Sequence, residues 1–490
     1  MDSLAPEEAE PAKHQEPGEG RRFAGNASWL IAAQVVSKVA SFAFVVIVAQ
    51  GLGPVSYGYF NFAISFTPIF LMFGTWGLNL AMVREVARSP ERFPQLLASG
   101  LALRVALGGA GLLLALAISP LLVDDSGTLL AIGIIGSALF IDELADFFGA
   151  AFVAFEKMRG HAQIILTNRF VTTAIAAIVV AAGGDLLQVA LAYLAGSCGA
   201  LVFAYGSVRR KLPESSLRDF ESTVTKELLR KGAPLGLAAF LNMLVFRLDA
   251  VLLQAMKGPV AVAMYGIAYR FFESFLFIAW SLANAALPRM SRSTEPKDSL
   301  VTYEMTMTVM LALYLPLAVG APFAARGVVK AIFSERYLPA ADAVAWLTAA
   351  AVLYGIAHLS RIALLGVGKR KIIPIVAGIV LTVNLTANLL VIPRYGFVGA
   401  AATTFGSELV EATLLAGYYR RVAGAGWPSP WVLIPILAAA VMGAVLWLTG
   451  ARGLAAVGLG TAVYLPSLVA LASWLAPGPA RDALALVRRK

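Results

Sequence analysis

The sequence predicts an all-α integral membrane protein of about fourteen transmembrane helices, and three observations predict it. Hydrophobic residues make up 59% of the 490 and charged ones only 14%, too apolar a balance for an ordinary soluble chain. Stretches of roughly 20 apolar residues, the length that spans a bilayer, recur from end to end between short polar or Gly/Pro connections. Strict polar/apolar alternation, which a membrane barrel would need, appears nowhere, so helices are the spanning element.

The expected spans are 27–49, 59–82, 96–118, 128–154, 162–182, 186–206, 233–256 and 262–286, then 303–325, 338–364, 372–392, 396–419, 431–449 and 453–475. Basic residues are retained on the cytoplasmic side, and they sort cleanly if the N-terminus is inside. The outer loops then hold six of the 39, namely Lys257, Arg326, Lys330, Arg336, Arg394 and Arg452. Six more lie within helices: Lys38, Arg104, Arg169, Arg247, Arg270 and Arg361. The remainder are cytoplasmic, and an even helix count returns the C-terminus, ending Arg488-Arg489-Lys490, to the same side. The expected location is the cell (cytoplasmic) membrane, multi-pass, with both termini cytoplasmic. The net charge of +10 is thus a topology signal with some attraction to membrane lipids. It is not a nucleic-acid footprint, because the bases are scattered among loops.

Residues 1–22, acidic and rich in Pro and Gly, read as a disordered cytoplasmic tail, and 477–490 as a second tail. Cys198 is the sole cysteine, which excludes a disulfide within the chain. The longest connection, 208–232, separates a six-helix half (23–207) from a second six-helix half (233–420) and a terminal helix pair (421–476). Within it Phe220, Val224 and Leu228 recur every four residues. That spacing suits a short helix on the inner membrane surface or a solvated helical linker.

An internal repeat supports the division. A shift of 205 residues aligns Gly53-Pro54-Val55 with Gly258-Pro259-Val260, Ala63 with Ala268, Phe66 with Phe271, and Phe70-Leu71 with Phe275-Leu276. Asn79 with Asn284, Ala81 with Ala286 and Arg84 with Arg289 complete ten identities in 32 positions. Six helices separate the copies, so both enter the membrane in one direction, and the halves are expected to be pseudo-symmetric about the membrane normal. Such transporters hold substrate between the halves near the midplane and alternate access by rocking.

Ionisable groups at that depth are the functional candidates. Lys38 sits about 15 Å from either end of its helix, too deep to snorkel easily, with Gln34 and Ser41 on its face. Arg247 and Asp249 are central in the seventh helix but two apart, so they project to nearly opposite sides. Arg270 and Glu273, three apart in the eighth, can pair, and Asn284 continues their stripe. Asp142, Glu143 and Asp146 in the fourth helix and Thr404, Glu408 and Glu411 in the twelfth can compensate neighbouring bases. Lys38, Arg247 and Arg270 together predict a cationic cavity suited to an anion, foremost phosphate. Asp249, Glu273 and Glu408 are candidates for proton or sodium coupling, with Asn242, Asn384 and Asn388 as further polar candidates. No metal-ligand cluster, Gly-rich phosphate loop or nucleophile elbow is present, so no catalytic residue, metal or cofactor is expected.

Gly51-Leu52-Gly53-Pro54 with Tyr57-Gly58 and Phe60 resembles the start of polysaccharide-export flippases in the multidrug/oligosaccharidyl-lipid/polysaccharide exporter superfamily. Arg247-Leu248-Asp249 with Gly258-Pro259 and Tyr265 is a second likeness. Asn384, Asn388, Ile392-Pro393, Tyr395-Gly396 and Gly399-Ala400-Ala401 are the most specific, and the resemblance extends over nearly the whole chain from Arg22. It implies translocation of polyprenyl-diphosphate-linked oligosaccharide for surface polysaccharide biosynthesis, with other polysaccharide-assembly proteins as candidate partners. Relatives that flip the peptidoglycan precursor carry an Arg-Asp pair in the first helix, and Lys38 without an acid disfavours that branch. A drug or organic-cation exporter of the same superfamily would want acids and aromatics in its cavity. A membrane glycosyltransferase or polymerase would want larger outer loops.

Overall fold

A computed structural model describes residues 19–75, 77–292, 296–426 and 429–475, and those residues are almost entirely helical, with no strand among them. The helices are α1 (Glu19–Thr75), α2 (Leu78–Arg88), α3 (Phe93–Ile118), α4 (Ser126–Ala154), α5 (Met158–Ala181), α6 (Leu186–Lys211) and α7 (Ser222–Lys257). They continue as α8 (Pro259–Ser291), α9 (Pro296–Phe333), α10 (Ala340–Gly366), α11 (Ile372–Val422), α12 (Pro430–Thr449) and α13 (Leu454–Leu475). The described tail begins in helix at Glu19; residues 1–18 and 476–490 lie outside the described part.

Among the described residues, twelve helical stretches are long and apolar enough to cross a membrane. Two of them run for 56 and 51 residues, enough for two crossings each, and they bend at Gly53 and Gly396. Counted as two spans apiece, they bring the number to the fourteen expected from the sequence. Backbone angles explain the bends. Gly53 takes φ 72° and ψ 173°, a region that side chains penalise, and Pro54 restarts the helix with its own fixed φ. Gly258, its counterpart in the repeat, takes φ 77° and ψ −175° before Pro259. Elsewhere on this end of the bundle Asp125 and Asp185 cap α4 and α6, accepting from the amides of Thr128 (2.7 Å) and Gln188 (2.9 Å).

The same end is knitted shut by close backbone approach. A methyl group on Gly58 would overlap the Pro259 carbonyl, so α1 beyond its bend and the start of α8 touch main chain to main chain. Tyr337 Oη donates to the Ala49 carbonyl and Gln50 Nε2 to the Ile332 carbonyl, both at 2.6 Å. Asn61 Nδ2 reaches the Val262 carbonyl at 3.3 Å. These bonds join α1 to α8, to α9 and to the turn after it.

At the opposite end the expectation for 208–232 needs correction. From Ser222 the chain is already α7, which continues into the next span without a break. Val224 and Leu228 are buried among Leu78, Phe93, Leu96 and Leu97 of α2 and α3, while Phe220 is exposed. The apolar stripe is therefore spent on protein rather than on lipid. Polar contacts hold the extension: Arg92 to Glu227 (2.8 Å), Lys231 to Glu227 and to Glu85 (both 2.7 Å), and the Ser99 hydroxyl with the Glu221 backbone. The hydrogen bonds from Arg92 and then Lys231 push the Glu227 carboxyl down to about 2.

Candidate functional site

Helix geometry alone places four bases at one depth. Lys38 lies fifteen residues before Gly53, Arg169 twelve before the end of α5, Arg247 ten before the end of α7, and Arg270 eleven into α8. At 1.5 Å per residue they sit about 15 to 22 Å from the closed end. All four line a single cavity of about 550 Å³ between α1, α5, α7 and α8. Its remaining wall is largely apolar, with Phe44, Ile64, Leu139 and Phe246, and it carries one acid, Glu273.

Glu273 is shared between two guanidiniums. Its Oε2 accepts from Arg270 at 2.7 Å and its Oε1 faces Arg247 at 3.2 Å. The Arg270–Glu273 pairing expected within α8 is present, and it extends to α7. Both arginines and the acid remain about a fifth to a quarter exposed, so they are reachable from the cavity. Gln34 and Lys38 are exposed on the α1 face of the same space. A low-dielectric pocket with four bases and one shared carboxylate is a place where an anion gains several charge-assisted hydrogen bonds.

Sequence reasoning left Arg169 out of the site. It lies at the same depth as Lys38 and within electrostatic reach of Asp142, which accepts from Asn168 Nδ2 (2.6 Å) and Tyr193 Oη (3.2 Å). Depth measured from the turn end was the signal available, since Arg169 was already one of the six intramembrane bases.

The two other deep bases are turned away from the cavity. Arg104 is 1% exposed, pinned against Glu143 (3.5 Å) and over the ring of Phe147 (5.2 Å). Arg361 pairs with Glu411. Both answer the expectation that acids of the fourth and twelfth spans compensate neighbouring bases.

Asp249 does not reach the cavity. It points to the other side of α7 into a sealed node with α8 and α11, 1% exposed. Its Oδ2 accepts from Tyr265 Oη (2.6 Å) and Thr404 Oγ1 (3.0 Å), and its Oδ1 from Asn388 Nδ2 (2.6 Å). Asn388 also donates to Asn384 Oδ1 (3.1 Å), and Asn384 to Ser407 Oγ (3.2 Å). Of the three acids predicted to couple ions, Glu273 is thus in the cavity and Asp249 is in this node. Glu408, buried on α11, has one carboxyl oxygen without a hydrogen-bond partner and lines no part of the cavity. Asn284 is exposed one turn past the cavity wall, and the side chain of Asn242 lies outside those described.

A second space of about 480 Å³ lies between α8, α9, α10, α12 and α13, lined almost wholly by apolar groups such as Phe275, Pro316, Leu317, Met442 and Leu465.

Residues 23–294 match the family described as "Polysaccharide biosynthesis protein". Among solved structures, the lipid II flippase MurJ in an inward closed conformation superposes with a TM-score of 0.73 at 16% identity, over 91% of this chain and 99% of MurJ. An inward-facing multidrug resistance MATE family transporter of the MOP superfamily gives 0.62 at 17% identity, over 79% and 95%. Two uncharacterized membrane proteins of Methanocaldococcus jannaschii are 24% and 23% identical over 42% and 45% of this chain. The chain spans about half the length of these curated relatives, 41% and 54%.

Proposed function

Because this chain belongs to the polysaccharide biosynthesis protein family and carries many helices able to cross a membrane, we propose that it is a flippase carrying polyprenyl-diphosphate-linked oligosaccharide across the cytoplasmic membrane by alternating access. The observation that carries the reading is the mid-depth cavity with Lys38, Arg169, Arg247 and Arg270 around a single carboxylate. Four bases against one acid favour a diphosphate over the organic cation of a drug exporter.

In the proposed cycle the diphosphate enters from the cytoplasmic end while the end at Gly58 and Pro259 is sealed. Glu273 neutralises Arg247 and Arg270 in the empty cavity and yields them to the diphosphate oxygens, so the site never leaves two unpaired guanidiniums in low dielectric. The polyprenyl tail stays in lipid, with the apolar space beside α12 and α13 to receive it. The half spanning 23–207 then rocks against 233–420. Asp249 is the coupling site for sodium or a proton, with Glu408, four residues past Thr404 on α11, as the second candidate. Glu273, held between two bases, is suited to exchange with the substrate instead.

Reconstituted liposomes carrying a fluorescent lipid-linked oligosaccharide test this. Wild type is expected to equilibrate the lipid between leaflets, Lys38→Glu to slow it at least tenfold, and Lys38→Arg to retain it. Intact protein that moves no lipid-linked oligosaccharide would overturn the assignment.

A further inference from the structure

The cavity has a second level. Down α8 the residues Arg270, Glu273, Phe277 and Trp280 form one stripe on its wall, and ten residues separate Arg270 from Trp280, about 15 Å along the axis. Trp280 is 45% exposed although it lines the cavity. Its Nε1 donates to Tyr354 Oη at 2.6 Å, and its ring meets the His358 imidazole at 6.3 Å, with Tyr354 and His358 themselves stacked at 5.7 Å. Two residues of α10 therefore fix the indole edge and orientation.

Neither ordinary use of tryptophan accounts for this arrangement. A space-filling indole is buried, and an interfacial anchor keeps its N–H toward water and headgroups. Here the N–H is satisfied inside the protein and ring surface is left to the cavity. On the α1 wall, Gln34 presents an exposed amide one turn from Lys38. A held aromatic surface and an exposed amide lining one cavity suit a sugar, whose apolar C–H face stacks on a ring while its hydroxyls bond to an amide.

We propose that Trp280 and Gln34 form a saccharide subsite below the cationic level, taking the sugars beyond the one linked to phosphate. The proposal rests on the reading of the cationic level as the diphosphate site. A separation of about 15 Å requires several linked rings, so the subsite reads the second or third sugar and not the first.

The test measures binding to the full chain in nanodiscs with two probes, a bare polyprenyl diphosphate and the same lipid bearing a β-1,4-linked N-acetylglucosamine trisaccharide. Wild type is expected to bind the glycosylated lipid more tightly. Trp280→Ala should lose about tenfold on the glycosylated lipid and nothing on the bare one, while Trp280→Phe, which keeps a ring, stays within about threefold of wild type. Equal losses on both probes, or a wild type without preference for the trisaccharide, overturn the subsite. Lys38→Glu is the separate arm. If it leaves the bare diphosphate lipid bound while Trp280→Ala still loses the trisaccharide, the diphosphate site falls and the saccharide subsite stands.

Discussion

Replacing Asp249 by Ala and by Asn should separate its structural work from its charge. In the folded protein the carboxylate takes three donors, from Tyr265, Thr404 and Asn388. After Asp249→Ala two of them have acceptors to fall back on: Thr404 Oγ1 lies 3.0 Å from the Ala400 carbonyl, and Asn388 Nδ2 lies 3.1 Å from Asn384 Oδ1. Tyr265 Oη keeps only Thr404 Oγ1, at 3.2 Å, so the three donors are left with longer and weaker bonds at a cost of about 1 to 3 kcal/mol. Adding roughly 1 kcal/mol for the small void gives about 2 to 4 kcal/mol in all.

Asp249→Asn keeps the volume and one oxygen for Tyr265 and Thr404. Its new amide would face the Asn388 amide, and a flip of Asn388 to meet it gives up the bond to Asn384 Oδ1, a net loss of one hydrogen bond. The expected cost is about 1 kcal/mol or less. Melting followed by fluorescence-detected size exclusion should therefore place Asp249→Asn near wild type and Asp249→Ala several degrees lower, while both lose any dependence of transport on a sodium or proton gradient. The reasoning is refuted if Asp249→Ala melts with wild type, or if Asp249→Asn melts as low as Asp249→Ala. The second result would mean that negative charge, and not the hydrogen-bond set, holds the node together.

Three further perturbations follow from the same geometry. Gly58→Ala drives a methyl into the Pro259 carbonyl, an overpacking of about 1 to 3 kcal/mol, and should part the sealed end. An Ala49→Cys reporter, at a buried position beside that end in a chain whose Cys198 is the sole other thiol, is then expected to gain reaction with an impermeant maleimide, and unchanged labelling would count against the seal. Ser334 holds φ 83° and ψ 171° in the turn after α9, a region close to glycine-only, so Ser334→Gly should raise stability by about 1 kcal/mol or somewhat more, read as a higher melting temperature. Glu227, with its folded pKa depressed to about 2 by Arg92 and Lys231, contributes stability that is complete above its unfolded value near about 4.3 and is lost as pH falls through 2. Glu227→Gln should cost under about 1 kcal/mol at pH 7, and the gap from wild type should close between roughly pH 4 and 2. A gap independent of pH would assign the effect to packing.

Much of the fold was legible because bilayer thickness imposes a length on every span. Thirteen of the fourteen expected stretches lie within a helix to within two residues, 59–82 runs from α1 into α2, and Gly53-Pro54 and Gly258-Pro259, aligned by the repeat, share one backbone conformation. The connection at 208–232 was less legible. A period-four stripe says that one face is apolar, and lipid, water-exposed linker and protein all remain open until the third dimension supplies α2 and α3 against Val224 and Leu228.

For the site, depth could be read and azimuth could not. Counting residues from the turns places Lys38, Arg104, Arg169, Arg247 and Arg270 in the middle of the membrane, and nothing in that count separates Arg104, sealed against Glu143 and Phe147, from Arg169, which opens on the cavity. Within one helix, phase does better. Two residues apart on α7, Arg247 and Asp249 had to face nearly opposite ways, and which faced the cavity was fixed by its neighbours: a carboxylate on α8 for the base, three neutral donors on α8 and α11 for the acid. Among the described residues no guanidinium pairs with the acid that lies among hydroxyls and amides, whereas the acid on α8 is already shared between two arginines. On the proposed reading, α7 therefore carries the anion site on one face and the coupling site on the other. A motion of α7 that opens one must act on both.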